Sequence, residues 1–297
     1  MRKILMLAAC LSFALADVSA QDKPLKPHPD LSNVKYGDNE RNVLDLWKAK
    51  SAKPTPLVIF IHGGGFRAGS KDRIPTALIQ KSLEAGISVA SISYRLTDTA
   101  TYPAQMQDGA RAVQYLRHRA KELNLDPKRF AAIGGSAGAG ISLWLAFHDD
   151  LADKKAKDPV LRQSTRLTSV IGMQAQSSYD PRWVKKHIGG RAHEHPALQF
   201  FFGVGPEEIE SDKVAKLYED ASPINHLTKD DPPIRLTYTG QDEPSEKVGG
   251  GIHSQKFGTI LKAEMEKLGI SCEMIVAPGM NIDEHMKFLV KHLRPKT

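Results

Sequence analysis

Read only for apolar and polar alternation, the chain divides into short apolar runs separated by longer amphipathic ones. Residues 32–36 and 43–47 alternate on either side of Gly37-Asp38-Asn39-Glu40-Arg41, which predicts a two-stranded hairpin. Residues 57–61 (Leu-Val-Ile-Phe-Ile) are apolar without interruption, the pattern of a strand covered on both faces. From there the period switches back and forth. Residues 75–85 read as a helix and 87–92 as a strand. Over 104–123, Ala110, Val113, Leu116, Ala120 and Leu123 recur at helical spacing, and Asn124-Leu125-Asp126-Pro127 stops the run. A strand ending at Ile133 follows, then an apolar helix reaching Phe147. Further strands are predicted at 167–173, 234–239 and 272–277, and further helices at 254–268 and 284–293.

Strand and helix alternating at this spacing predicts an α/β fold, a mostly parallel central sheet with helices on both faces. Two segments break the rhythm. Residues 149–166 are charged and predicted to face solvent. Residues 177–226 mix Pro, Gly, histidines and aromatics, which predicts a small cap or insertion over the sheet edge, built partly from short helices. The sequence contains no internal repeat.

The chain of 297 residues suits one such domain over 31–297, and its 41% hydrophobic content is enough for a large core. The N-terminus is different in kind. Met1-Arg2-Lys3, an apolar stretch over 4–16 and Val18-Ser19-Ala20 together predict a signal peptide over 1–20, cut after Ala20. The mature protein is therefore expected to be secreted or periplasmic, with residues 21–30 as a proline-rich linker. No transmembrane segment is expected in it, because no internal run approaches the roughly 18 apolar residues that span a bilayer. The net charge of +7 is diffuse and accompanies no nucleic-acid-binding motif, so no nucleic-acid partner is expected. Cleavage would also remove Cys10, leaving Cys272 with no disulfide partner.

The chemistry lies where the apolar strand ending at Ile133 runs into Gly134-Gly135-Ser136-Ala137-Gly138. Gly-x-Ser-x-Gly between a strand and a helix places a serine hydroxyl on a tight turn, with neighbours too small to block a substrate. Upstream, His62-Gly63-Gly64-Gly65-Phe66 also directly follows an apolar strand. A serine hydroxyl is a poor nucleophile, so a histidine must take its proton and a carboxylate must orient that histidine. The oxyanion that forms on attack needs preorganised N–H donors, which glycines let approach without side-chain obstruction.

In this order, the two motifs resemble the α/β-hydrolase family, and within it the esterase and lipase branch related to hormone-sensitive lipase and polysaccharide-linked esterases. The resemblance runs from about residue 43 to the C-terminus. It implies Ser136 as nucleophile and the N–H groups of Gly63, Gly64 and Ala137 as the oxyanion hole, with no cofactor or metal. It also implies that His62 supports the glycine loop and that Tyr94 packs near the nucleophile. The family order of serine, acid, histidine puts the acid after the 234–239 strand, where Asp242 is favoured and Glu243 is the alternative. The base is expected after the last strand. His285 is the best-placed residue and His253 competes with it, although His253 precedes the wrong helix. Asp283 and Glu284 beside His285 would raise its pKa by charge proximity.

The remaining conspicuous residues have plainer readings. Asp108 suits the positive end of a helix. His193-Glu194-His195 lacks a third ligand for a metal. Phe200-Phe201-Phe202 reads as cap core. The expected activity is that of an exported carboxylic ester hydrolase, acting on a small-molecule or polysaccharide-linked ester, with short acyl groups favoured. Two other readings remain. One is a serine peptidase of the same fold. The other is a non-catalytic binding protein, because residues 240–244 and 283–288 depart from the family pattern.

Overall fold

The computed structural model describes residues 25–294, except 206, 209, 210, 212, 213, 241 and 280. The predicted signal peptide lies outside the described residues.

The chain opens with strands β1 (Leu31–Lys35), β2 (Val43–Trp47) and β3 (Thr55–Ile61), then helix α1 (Thr76–Glu84) and β4 (Ser88–Ile92). Next come α2 (Ala104–His118), α3 (Ala120–Leu123), β5 (Leu125–Gly135), α4 (Ala137–Phe147) and β6 (Ser169–Met173). Three short helices follow, α5 (Pro181–His187), α6 (Pro196–Phe202) and α7 (Ala215–Ala221). The chain ends with β7 (Ile234–Tyr238), α8 (Lys256–Lys267), β8 (Cys272–Val276) and α9 (Ile282–Leu293). The strands form one eight-stranded sheet in the order β1-β2-β4-β3-β5-β6-β7-β8. β2 pairs antiparallel with β1 and β4, and the remaining neighbours are parallel.

The uninterrupted apolar run of β3 follows from its central place. Leu57, Ile59 and Ile61 join the core beneath α2, α4 and α8, while Val58 and Phe60 join a second core beneath α1 and α9. With both faces covered, polar residues have no face to occupy. The 104–123 run forms a helix in two pieces, broken at Arg119. Asp108 does not serve a helix terminus. It is buried, its carboxylate holding the Arg95 guanidinium at 2.6 Å and accepting the Arg95 backbone N–H at 2.8 Å.

The segment between β6 and β7 carries α5, α6 and α7. Its anchor is the Phe200–Phe202 run. The Phe201 ring is fully buried and stacks on Phe66 with centroids 4.0 Å apart, and Phe202 meets Tyr218 edge-on. Phe200 instead turns outward beneath the Arg67 guanidinium. Among the described residues, no helix is long and apolar enough to cross a membrane.

Candidate active site

Ser136 stands between the C-terminal end of β5 and the first residue of α4. Its backbone is at φ 52°, ψ −121°, a left-handed conformation that L-residues rarely adopt. The turn stays in place because it is gripped on both sides. The Ser136 N–H donates to the Met173 carbonyl at the end of β6 (2.8 Å), and the Ser136 carbonyl accepts the Gly140 N–H at 3.0 Å. The glycines around it are required by close approach. A Cβ on Gly138 would lie 2.1 Å from the Ile61 carbonyl oxygen, and one on Gly134 would lie 2.4 Å from Gly138 backbone atoms. Strand β3, strand β5 and helix α4 can meet this closely only without those side chains.

The partner of Ser136 is His253. Ser136 Oγ and His253 Nε2 are 2.9 Å apart, a full hydrogen bond. His253 sits on the loop between β7 and α8, three residues before the start of that helix. Gln176 fixes this loop. Its buried side-chain amide donates to the Gln174 carbonyl at 3.0 Å and to the Ile252 carbonyl at 2.8 Å, directly beside His253. Burial lowers the His253 pKa, and the neighbouring His195 lowers it further, so the ring is held neutral and able to accept a proton.

His285 takes no part in this arrangement. It lies in the first turns of α9, fully buried on the core face of that helix with Met286, Phe288 and Leu289. Neither ring nitrogen has a hydrogen-bond partner among the described residues. Its acidic neighbours do not set its pKa. Burial dominates and pushes it down to about 4, with Arg235 acting in the same direction and Glu284 opposing only weakly. Asp283 and Glu284 turn outward to Lys81 and Lys287. The expectation that the base follows the last strand is therefore corrected: the histidine on Ser136 comes from the loop before α8.

Asp242 and Glu243 are exposed, on a shallow recess formed by the 240–251 loop. Among the described residues, no carboxylate hydrogen-bonds His253, and neither Asp242 nor Glu243 bonds His285. The structure thus brings Ser136 and His253 together without the predicted acid.

Around the pair lies an apolar cavity of about 330 Å³, lined in part by Phe66, Tyr179, Leu198 and Ile252, with Gln176 and His195 as polar members. Gly64 and Ala137 also face it. Gly63 packs against the turn itself, since a Cβ there would meet the Gly135 carbonyl oxygen at 2.6 Å. Ala137 is the first residue of α4, where a backbone N–H has no intrahelical acceptor. On its other side Ser136 borders a more open and more polar recess that includes Arg73, Pro75, Met173 and Gln174. His62 buttresses the glycine loop. Its ring stacks on Tyr94 at 4.2 Å, Nδ1 is 2.8 Å from the Gly63 carbonyl oxygen, and burial lowers its pKa to about 4. Tyr94 in turn donates to the His62 carbonyl at 2.9 Å.

Residues 44–246, which carry the glycine loop and the serine turn, match the BD-FAE family. The chain belongs to that family. It is 27% identical over 217 residues to Esterase LipC of Mycobacterium tuberculosis, covering 70% of this chain and 50% of that protein. It is 24% identical over 226 residues to an ethyl acetate hydrolase of Pseudomonas putida, covering 76% and 65% of the two. The chain thus spans about half to two thirds of the length of these curated relatives. Among solved structures, it resembles a truncated carbohydrate esterase from gut microbiota (TM-score 0.71, 20% identity, 88% of this chain and 95% of that one). It also resembles a thermophilic esterase of Thermogutta terrifontis with propionate bound (TM-score 0.67, 18% identity, 92% and 98%). These likenesses establish the α/β-hydrolase fold that the two motifs predicted.

Proposed function

We propose that this BD-FAE protein is a carboxylic ester hydrolase with Ser136 as nucleophile and His253 as general base and acid. The observation that carries the reading is the 2.9 Å bond between Ser136 Oγ and His253 Nε2 at the mouth of an apolar cavity. Esterase relatives and the strained serine turn support it. His253 Nε2 takes the Ser136 proton as Oγ attacks the ester carbonyl carbon. The N–H groups of Gly63, Gly64 and Ala137 stabilise the oxyanion, each worth about 3–4 kcal/mol in comparable sites. The alcohol leaves with the proton from His253, and a water activated by the same ring then releases the acid.

The apolar cavity suits a short acyl group. The polar recess with Arg73 and Gln174 suits a hydroxyl-rich alcohol, which fits a carbohydrate-linked ester. The segment 1–20 acts as an export signal, and N-terminal sequencing of the exported protein should begin near Gln21. The lack of a carboxylate on His253 among the described residues favours one competing reading, a binding protein that has kept its serine turn.

A fluorophosphonate probe combined with p-nitrophenyl acetate turnover separates the two. Labelling of Ser136 in the wild type, its loss in Ser136→Ala, and a collapse of turnover in both Ser136→Ala and His253→Ala are expected. An unlabelled Ser136 with equal turnover in all three proteins would leave only the binding reading. Aminoacyl p-nitroanilide cleavage without ester turnover would point to a peptidase.

A further inference from the structure

The far end of the nucleophile helix carries a second group of residues that the ester chemistry does not use. His148 caps the C-terminus of α4, Asp220 lies near the end of α7, and His226 closes the 3-10 turn that follows. One ring nitrogen from each histidine and one carboxylate oxygen lie within 4.8 Å of one another. Two imidazoles and a carboxylate are a donor set suited to a borderline cation such as zinc.

The surrounding contacts hold these donors in place. His148 Nδ1 is 3.1 Å from the Asp149 carbonyl oxygen, so a neutral ring keeps its proton on Nδ1 and turns the Nε2 lone pair outward. That lone pair faces Asp220 Oδ1 at 3.6 Å. The two atoms thus present lone pairs to the same space, as two ligands of one cation would. The other carboxylate oxygen of Asp220 accepts from the Tyr102 hydroxyl, and its backbone carbonyl accepts the Trp144 indole N–H at 2.9 Å. Tyr102 and Trp144 are both buried. A backbone carbonyl behind a histidine and a tyrosine behind a carboxylate are the outer contacts that orient metal ligands. The His226 ring lies beside that of His148, with centroids 4.7 Å apart, and its Nε2 reaches the Asp220 carbonyl oxygen at 2.7 Å.

We propose that His148, Asp220 and His226 form a zinc site with water as the fourth ligand. Ligand atoms about 2.0–2.1 Å from a tetrahedral zinc lie about 3.4 Å apart. His148 Nε2 and Asp220 Oδ1, at 3.6 Å, are already near that spacing, and binding closes the remaining separations, none above 4.8 Å. The site is structural. The eleven residues of α4 separate it from Ser136 by about 16 Å along the helix axis, too far to polarise an ester. Zinc would instead tie the end of the nucleophile helix to α7 and the turn after it, holding the segment between β6 and β7 on the sheet.

The test is zinc titration of the tag-free mature chain by calorimetry, with thermal unfolding followed in zinc and in excess chelator. One zinc per chain is expected, with a higher melting temperature in zinc. Cobalt substitution should give the visible absorption of a tetrahedral site. His148→Ala and His226→Gln should each abolish binding while keeping the wild-type circular dichroism in chelator. His193→Ala and Cys272→Ser should bind as the wild type does. No binding by the wild type, or binding that survives His148→Ala, would overturn the site.

Discussion

Ser136 and His253 stand 117 residues apart in sequence and 2.9 Å apart in space, and the histidine comes from the loop before α8, not from the end of the chain. The first prediction separates the two histidines. His253→Ala should lower kcat for p-nitrophenyl acetate by about 10³-fold or more, the scale on which serine hydrolases lose rate without their base. His285→Leu should leave kcat and KM close to wild type, because that ring touches neither Ser136 nor the cavity. If the two effects came out reversed, the base assignment would fail.

A second prediction concerns pH. His253 must be neutral to take the serine proton, so kcat/KM falls as pH drops through its pKa. Burial, and then the neighbouring His195, hold that pKa below the ordinary 6.5. Activity should therefore persist into mildly acidic solution. His195→Gln removes the second cause and should move the acid limb of the profile upward. A limb centred above 6.5 in the wild type would contradict the burial of the ring.

Stability should also fall with acid, through two histidines that do no chemistry. His62 and His285 titrate near 6.5 when exposed, but burial lowers both to about 4 in the fold. Between these values the unfolded chain binds more protons than the native one, so stability drops as pH falls from about 6.5 to about 4. The contribution is fully present above that window and lost below it. Each group accounts for at most about 3 kcal/mol. Denaturant midpoints measured across the window should show a shallower acid decline for His285→Leu than for wild type. That variant should also gain stability near neutrality, since it replaces a buried ring with two unbonded nitrogens by an apolar side chain. An unchanged slope would mean that His285 is not held neutral.

Local patterns revealed what local physics decides. The continuous apolar run of β3 follows from its two buried faces, and the glycines flanking Ser136 follow from the convergence of β3, β5 and α4 where only glycine fits. His253 is not legible locally, because its position depends on a contact between Gln176 and Ile252, 76 residues apart in sequence. No periodicity reports such a contact. His285 did carry a legible warning. Ile282, His285, Met286, Leu289 and Leu293 recur at helical spacing, which puts His285 on the buried stripe of α9.

Among the described residues no carboxylate touches His253, so the orientation of its ring must come from its loop. Gln176 is the positioning residue, because it donates to both Gln174 and Ile252 and so fixes the backbone beside the histidine. Gln176→Ala leaves the Ile252 carbonyl without this donor and frees the loop. A shift of about an ångström at a catalytic group can cost about 10²-fold, so kcat should fall by roughly 10–100-fold. KM should change little for a small acetate ester, and the acid limb should stay in place, because the charges around the ring are unaltered. Asp242→Asn and Glu243→Gln, at exposed positions, should each cost less than about 10-fold, against about 10⁴-fold for a true orienting aspartate. A 10⁴-fold loss in Asp242→Asn would instead mean that the 240–251 loop folds onto His253 during turnover and completes a conventional triad.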